Sequence, residues 1–290
     1  MDQGCLYVVA TPIGNMKDMT FRAVEVLGAV DGVICEDTRR TGRLLSHYGL
    51  SVKLSSFFAG NESRRLEGFL EKLSSGRKLA LVTDAGTPAV SDPGYMLIRE
   101  CRSRGIPVVP VPGPSAAVAA LSVSGLPSDR MLFLGFPPRK PGQSRTFLTN
   151  LAQDPAALVF YEAPHRIRRF MADARRLLPG RDCFVGREIT KLHESFYLNP
   201  EPEDLPEKGE LVIVFGPPEK SSGSRPGVSE IAEKVRALTG KGCDEREAMR
   251  TVARELGVAR REIYELIKGK GKREAGDAGV PIPAKKGSRS

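Results

Sequence analysis

The sequence predicts an α/β protein of more than one domain, with a mostly parallel sheet whose strand ends build a ligand site. Three observations predict it. Short apolar runs alternate with helix-spaced apolar positions through the first 120 or so residues, the pattern of a parallel sheet covered on both faces. Three of those runs stop abruptly in stiff Gly/Pro loops, the way open α/β sheets form sites at the carboxyl ends of their strands. At 290 residues the chain also exceeds what one core usually serves.

The first run, at 6–10, enters Thr11-Pro12-Ile13-Gly14-Asn15. Thr20 can then cap a helix carrying Ala23, Val24 and Leu27. A second short strand, Gly32-Val33-Ile34-Cys35, closes on Glu36-Asp37-Thr38-Arg39-Arg40. Leu44, Leu45 and Tyr48 suggest one helix, and Leu66, Phe69, Leu70 and Leu73 another that ends near Gly76. The strand at 79–83 runs into Asp84-Ala85-Gly86-Thr87-Pro88-Ala89-Val90-Ser91-Asp92-Pro93-Gly94. That loop far exceeds a four-residue β-turn and holds no side chain suited to a core. A helix near 94–104 follows, then a strand at 107–111, the loop Pro112-Gly113-Pro114-Ser115-Ala116-Ala117, and a small-residue helix near 115–124. None of the three loops is a GxGxxG or a GxxxxGK[ST], so they are built for a ligand held mainly by main-chain groups.

Gly125-Leu126-Pro127-Ser128 reads as a hinge. Beyond it, strands are expected at 131–136, 157–161, 183–186 and 211–215. A basic, proline-stiffened loop is expected at 137–142, and an arginine-rich helix after Glu162-Ala163-Pro164-His165-Arg166. The Ser/Gly/Pro-rich stretch from Pro217 to Pro226 is a linker. The segment 228–269 reads as three helices: Asp244 and Glu247 suit a capping box, and Ala253, Gly257 and Ile263 have helix-turn-helix spacing. A bare helical bundle fits the same residues. The polar tail 270–290 reads as disordered. The expected domains are therefore 1–124, 125–218 and 228–269, followed by that tail.

Composition narrows the function. A net charge of +9 favours a polyanionic partner without separating RNA from DNA. No apolar run reaches the roughly 18 residues of a membrane span, and the first residues lack a signal pattern, so a cytoplasmic protein is expected. Five scattered cysteines and three histidines, with no CxxC pair, point to buried reduced thiols and argue against a metal site.

Five ordered motifs, Ala10-Thr11-Pro12-Ile13-Gly14-Asn15, Glu36-Asp37-Thr38-Arg39, Asp84-Ala85-Gly86-Thr87-Pro88, Pro112-Gly113-Pro114-Ser115-Ala116 and Tyr161-Glu162-Ala163-Pro164-His165-Arg166, together resemble the ribosomal RNA small-subunit methyltransferases of the tetrapyrrole methylase superfamily. The resemblance runs from about Leu6 to Phe215. It implies a two-domain tetrapyrrole-methylase-like (class III methyltransferase) fold with a C-terminal helix-turn-helix-like appendage. It also implies S-adenosylmethionine as methyl donor in the cleft between domains, a homodimer, and 2'-O-methylation of a cytidine ribose in the decoding region of 16S ribosomal RNA, free or in the small subunit. The first loop departs from the glycine-rich pattern of cobalamin-pathway members, which argues against a tetrapyrrole acceptor.

The family's cofactor contacts fall on Pro12, Asp84, Ala85, Gly86, Thr87, Val90, Ser115, Ala116 and Glu162. For Val90 and Ala116, ordinary packing is the alternative. Glu36 and Asp37 are candidates for orienting or deprotonating the 2'-hydroxyl, with Arg39 on a neighbouring phosphate; capping of the next helix explains the same residues. His165 reads as structural rather than as a base. Glu188, Lys191 and Glu194 read as a polar wall of the cleft or a solvated strand edge. Candidate RNA contacts are Arg139, Lys140, Arg166, Arg260, Arg261 and Lys268. Two other classes fit parts of the sequence: a superfamily methylase acting on a tetrapyrrole or a protein, and a non-enzymatic nucleic-acid-binding protein.

Overall fold

A computed structural model describes residues 4–58, 60–219, 228–240, 242–256, 261, 263 and 264. They fall into two compact units, Met1–Glu219 and Lys220–Ser290. The larger unit contains two sheets. Its first sheet has β1 (Cys5–Val9), β2 (Gly32–Cys35), β3 (Leu54–Ser56), β4 (Lys78–Leu81) and β5 (Val108–Val111) in the order β3-β2-β4-β1-β5. Every pairing in it is parallel. Parallel neighbours need crossovers, and the helices α1 (Phe21–Ala29), α2 (Thr38–His47), α3 (Glu62–Ser74) and α4 (Tyr95–Ser103) supply them.

Both faces of this sheet are dry, which is why its strands read as unbroken apolar runs. On one face Leu6, Ile34, Leu79 and Leu81 pack with Phe69 and Leu70 of α3 and Leu97 of α4. On the other, Val9, Val33, Ala80 and Val82 pack with Ala23 and Leu27 of α1 and Leu45 of α2. The Thr20 hydroxyl accepts from the Ala23 N–H at 3.2 Å, the cap expected there.

The second sheet is mixed. Its strands are β6 (Met131–Gly135), β7 (Ala157–Glu162), β8 (Cys183–Arg187), β9 (Ser195–Leu198) and β10 (Leu211–Phe215), ordered β6-β7-β10-β8-β9. Only β6 and β7 run parallel; β10 pairs antiparallel with both β7 and β8. Alternate residues of β7 serve opposite faces. Leu158 and Phe160 meet Phe170 and Met171 of α7 (Ile167–Leu177) and Leu148 of α6 (Pro141–Leu151). Val159 instead faces Ala117 and Ala120 of α5 (Ala116–Val123), together with Ile13. The helix α5 and the first loop thus belong to the first half in sequence and cover the second sheet in space.

The sequence reading did not anticipate β3, β9 or α6. The first two are short edge strands with polar or exposed side chains. α6 opens inside the expected proline-rich loop because Pro141 occupies its first turn, where a missing N–H costs nothing. One buried cation holds the end of the second sheet. Arg181, 8% exposed, donates to the carbonyls of Ala156 (3.0 Å), Gly216 (2.7 Å), Leu151 (3.0 Å), Ala152 (3.3 Å) and Asp154.

The smaller unit contains α8 (Val228–Thr239) and α9 (Glu245–Leu256), with Arg261, Ile263 and Tyr264 also helical. Ile231 and Val235 pack against Ala248, Met249, Val252, Ala253 and Ile263. Asp244 starts α9, its carboxylate accepting from the Arg246 N–H at 3.0 Å. Of the helix-turn-helix positions, Ala253 and Ile263 are buried, while Gly257 lies outside the described residues. Among the described residues no helix is long and apolar enough to cross a membrane. All five cysteines are free, and four of them are buried.

Candidate active site

The three stiff loops are stitched to one another, the first two by main-chain bonds and the third through a threonine hydroxyl. Thr11 and Gly86 exchange two, Thr11 N–H to Gly86 O at 2.9 Å and Gly86 N–H to Thr11 O at 3.0 Å. The Thr11 hydroxyl donates to Thr83 O at 3.0 Å, and the Thr87 hydroxyl to Pro114 O at 3.3 Å. Gly86 has φ of +81°, a conformation that glycine adopts without penalty. Ala89 and Ser91 hold φ of 64° and 65° without being glycine. Such conformations persist only where surroundings over-determine them, and they cluster at ligand clamps.

These loops and the near end of the second sheet enclose a cavity of about 390 Å³, within the range of small-molecule sites. Ala85, Gly86, Thr87, Val90, Ser115, Ala116 and Glu162 all line it, so seven of the nine predicted cofactor positions meet around one cavity. Pro12 and Asp84 do not; they line a second cavity of about 410 Å³. The two cavities share Ile13, Ala85 and Glu210. The second is cationic on one side, with Arg40 and Arg43 of α2 and Lys191. Lys191 is held by Glu188 and Glu210, each at 3.0 Å; of the predicted polar segment, Lys191 lines this cavity, and Glu188 and Glu194 line neither. Gly14 lies so close that a Cβ there would come within 2.3 Å of the Lys191 chain.

Glu162 is fully enclosed. Its carboxylate accepts from the Ala163 N–H at 2.7 Å and from Arg166 at 2.9 Å, and burial pushes its pKa up. Arg166 also donates to Pro137 O and Pro138 O. Its guanidinium is thus spent on holding the loop, which corrects the expectation of an RNA contact there. His165, Arg139 and Lys140 are exposed. Arg261 is exposed in the smaller unit, whereas Arg260 and Lys268 lie outside the described residues.

The predicted carboxylates separate into two kinds. Asp37 is the N-cap of α2, accepting from the Arg39 N–H at 2.8 Å and from the Arg39 guanidinium at 3.0 and 3.2 Å. The Arg39 side chain and helix amides hold its pKa down to about 2, a poor basicity for accepting a proton. Arg39, largely exposed, makes a surface ion pair with this carboxylate. Glu36 has the opposite environment: burial, then the negative charge of Asp84, raise its pKa. Asp84 itself pairs with Arg40 at 3.2 Å and accepts from the Asp37 N–H at 3.2 Å.

Asp92 was not singled out from sequence, yet it lines the first cavity. Burial, opposed by the Thr83 hydroxyl and reinforced by Glu36 and Asp84, pushes its pKa up to about 6. Its only sequence signal was a carboxylate in the longest stiff loop. Because the folded pKa exceeds the unfolded one, the native state binds the extra proton between about pH 4 and 6, and stability falls as pH rises through that window. Asp92→Asn removes this cost. The ligand-free variant should be more stable than the parent at pH 8, on the order of 1–2 kcal/mol once partial solvent screening is allowed for. The gap should close below about pH 4 in urea titrations. An equal gap at both pH values would contradict this.

Comparisons with known proteins show the family and the fold. The sequence pattern of the family Tetrapyrrole (Corrin/Porphyrin) Methylases matches residues 5–203. Among solved structures, the methyltransferase CobJ superposes with a TM-score of 0.56 at 20% identity, over 74% of this chain and 94% of that one. The uroporphyrin-III-C-methyltransferase of Thermus thermophilus gives 0.53 at 23% identity, over 73% and 94%. These define the fold class. Curated relatives named "Ribosomal RNA small subunit methyltransferase I" are nearer in sequence. That of Synechocystis is 42% identical over 91% of this chain and 97% of its own length. That of Halalkalibacterium halodurans is 39% identical over 91% and 95%. The chain therefore belongs to the ribosomal RNA small subunit methyltransferase I family, within the tetrapyrrole methylases. It is an enzyme, a methyltransferase, and the non-enzymatic nucleic-acid binder is set aside.

The first cavity suits S-adenosylmethionine on the chemistry of its donors. Small residues and a glycine at positive φ let the backbone come close. The first turn of α5 opens into it at Ser115 and Ala116, offering amides to a carboxylate. The carboxylates of Asp92, Glu162 and Glu210 suit a cation. Among the described residues no group of three or more potential ligands could hold a metal ion.

Proposed function

We propose that this chain transfers the methyl group of S-adenosylmethionine to the 2'-oxygen of a cytidine ribose in the decoding region of 16S ribosomal RNA. The observation that carries the reading is the pair of contiguous cavities, one small-residue-lined and the other edged by Arg40, Arg43 and Lys191 against Asp84 and Glu210, that meet at Ile13, Ala85 and Glu210. The first holds the methyl donor through Ala85, Gly86, Thr87, Val90, Ser115 and Ala116. The second takes the acceptor nucleotide, with Arg43, which makes no ion pair among the described residues, facing its phosphates. Bound in this way, the cofactor supplies an electrophilic methyl group on a sulfonium.

The protein's part is chiefly alignment, because a near-attack geometry can supply roughly 7–11 kcal/mol of the barrier. The stitched loops achieve it by leaving the site little freedom to move. Glu36 is our candidate to orient or deprotonate the hydroxyl: it lines neither cavity, but its charge acts on Asp92 in the wall of the first, and its raised pKa lies nearer the working range than that of Asp37. Arg139, Lys140, Arg260, Arg261 and Lys268 contribute RNA affinity, and the smaller unit adds a separate basic surface. The chain works as a homodimer in the cytoplasm; both follow from the family resemblance.

Mapping of ribose methylation after incubating 16S ribosomal RNA with the protein and cofactor tests the reading. A new 2'-O-methyl mark on a decoding-region cytidine is expected, and its absence from both free RNA and small subunits would overturn it. Thr87→Tyr tests the cofactor assignment. A phenol ring beside Gly86 should lower S-adenosylmethionine affinity at least about tenfold, or 1.4 kcal/mol, with the ligand-free melting temperature little changed. Unaltered affinity by calorimetry in a folded variant would remove the loop from the cofactor site.

A further inference from the structure

We propose that the groove leading off the cofactor cavity past Phe136 seats an unpaired nucleotide of an RNA strand. Its base stacks on the Phe136 ring, and its flanking phosphates lie on Arg139 and Arg169. The choice of RNA as ligand rests on the methyltransferase reading above; the groove itself does not. Phe136 is 60% exposed and lines both the cofactor cavity and an adjoining groove of about 990 Å³. A large apolar ring left in water at the mouth of a site is a ready surface for another π-system, and every nucleobase has one.

The backbone is built to present that ring. The pairing of β6 with β7 slips in register between Phe133 and Gly135, and such bulges re-aim the side chains that follow. Gly135 has φ of +59° and meets the 84–94 loop so closely that a Cβ would lie 2.8 Å from the Ser91 hydroxyl. From below, Tyr161 braces the Phe136 ring edge-on, with centroids 5.7 Å apart. The Pro137-Pro138 segment that follows is pinned through its two carbonyls by Arg166. An exposed ring held this firmly loses little entropy when a base stacks on it.

Charge selects the partner. The groove is lined by Arg139, His165, Arg166 and Arg169 and by no acidic side chain. Arg166 is taken up by Glu162, while Arg139 and Arg169 are exposed and make no ion pair among the described residues. Two outward cations flanking an aromatic shelf match a single strand, whose phosphates and bases alternate.

The test is fluorescence anisotropy of a labelled single-stranded RNA of decoding-region sequence, titrated with the full chain at several salt concentrations. Phe136→Leu keeps apolar bulk and removes the stacking face; it should weaken binding about tenfold. Arg139→Gln with Arg169→Gln should weaken binding and reduce the slope of log affinity against log salt by about one to two. Arg22→Gln with Arg102→Gln, the same charge change elsewhere, should stay within about twofold of the parent. Melting curves confirm that each variant is folded. Parental affinity in either groove variant overturns the proposal, as does an equal loss in the control pair. A change in oligomeric mass caused by Phe136→Leu would assign the ring to a contact between copies and also overturn it. Failure of the parent chain to methylate 16S ribosomal RNA would count against the methyltransferase reading alone, because anisotropy reports capture and not transfer.

Discussion

Glu36→Gln should slow single-turnover methyl transfer by about two to four orders of magnitude while RNA and cofactor affinities hold. The amide keeps the size and hydrogen-bonding reach of the carboxylate and removes its ability to take a proton. The neighbouring substitution Asp37→Asn should behave differently. Asp37 is already committed to the α2 amides and to Arg39, so its loss should leave the rate within about threefold and instead loosen the start of that helix. In the parent enzyme the rate should rise with pH as Glu36 ionises. Its pKa is raised by burial and by Asp84, so the rise should fall above the ordinary carboxylate range. Normal turnover in both amide variants would mean that alignment alone drives the reaction.

The other large effect concerns stability. Arg181→Leu should lower the unfolding free energy by about 3–5 kcal/mol, although the position is remote from either cavity. A single guanidinium there satisfies five carbonyls from 151–156 and Gly216. Burial lowers its pKa but is opposed by Asp154, so the cation is costly to enclose and is retained because those carbonyls would otherwise be orphaned. Leucine fills some of the volume and repairs none of the bonds. Chemical denaturation should show the loss as an earlier midpoint. A shift of under about 1 kcal/mol would mean that water replaces the guanidinium.

The first sheet was largely legible in the sequence because both of its faces are buried. Such strands carry no polar alternation, and the runs ending at Val9, Cys35, Leu81 and Val111 announce themselves. β3 was missed because Leu54–Ser56 is a short, polar edge, and β9 because Phe196 and Leu198 lie on an exposed one. The antiparallel placement of β10 between β7 and β8 leaves no local trace, since pairing partners are set by distant chain. The loops of the candidate site were legible through their Gly/Pro stiffness. What sequence could not show was how carboxylates would divide their tasks. Asp37 and Glu36 are adjacent in the chain, yet one is tied into a helix start and the other is half-buried in reach of the Asp84 charge. Asp92 acquires its altered acidity only when the fold buries it and brings Glu36 and Asp84 toward it. Arg166 shows the same limit, reading as a free cation and serving as an internal brace.

The apolar cluster that joins the two sheets has a consequence for how this protein can change. Ile13, Ala117 and Ala120 from the first half interlock with Val159, Ile189 and Val212 of the second, and Ile13, Ile189 and Val212 also line the cavity proposed for the cofactor. The seam is therefore both joint packing and pocket floor. A substitution that enlarges the pocket there also loosens the joint, and one that tightens the joint encroaches on the ligand. Occupancy couples back the same way: cofactor at a hundred times its dissociation constant adds about 2.7 kcal/mol to the folded state, and that added stability would keep variants weakened at the seam folded. Selection for altered donor preference would have to act while the donor is plentiful, and scarcity would expose the variation it had masked.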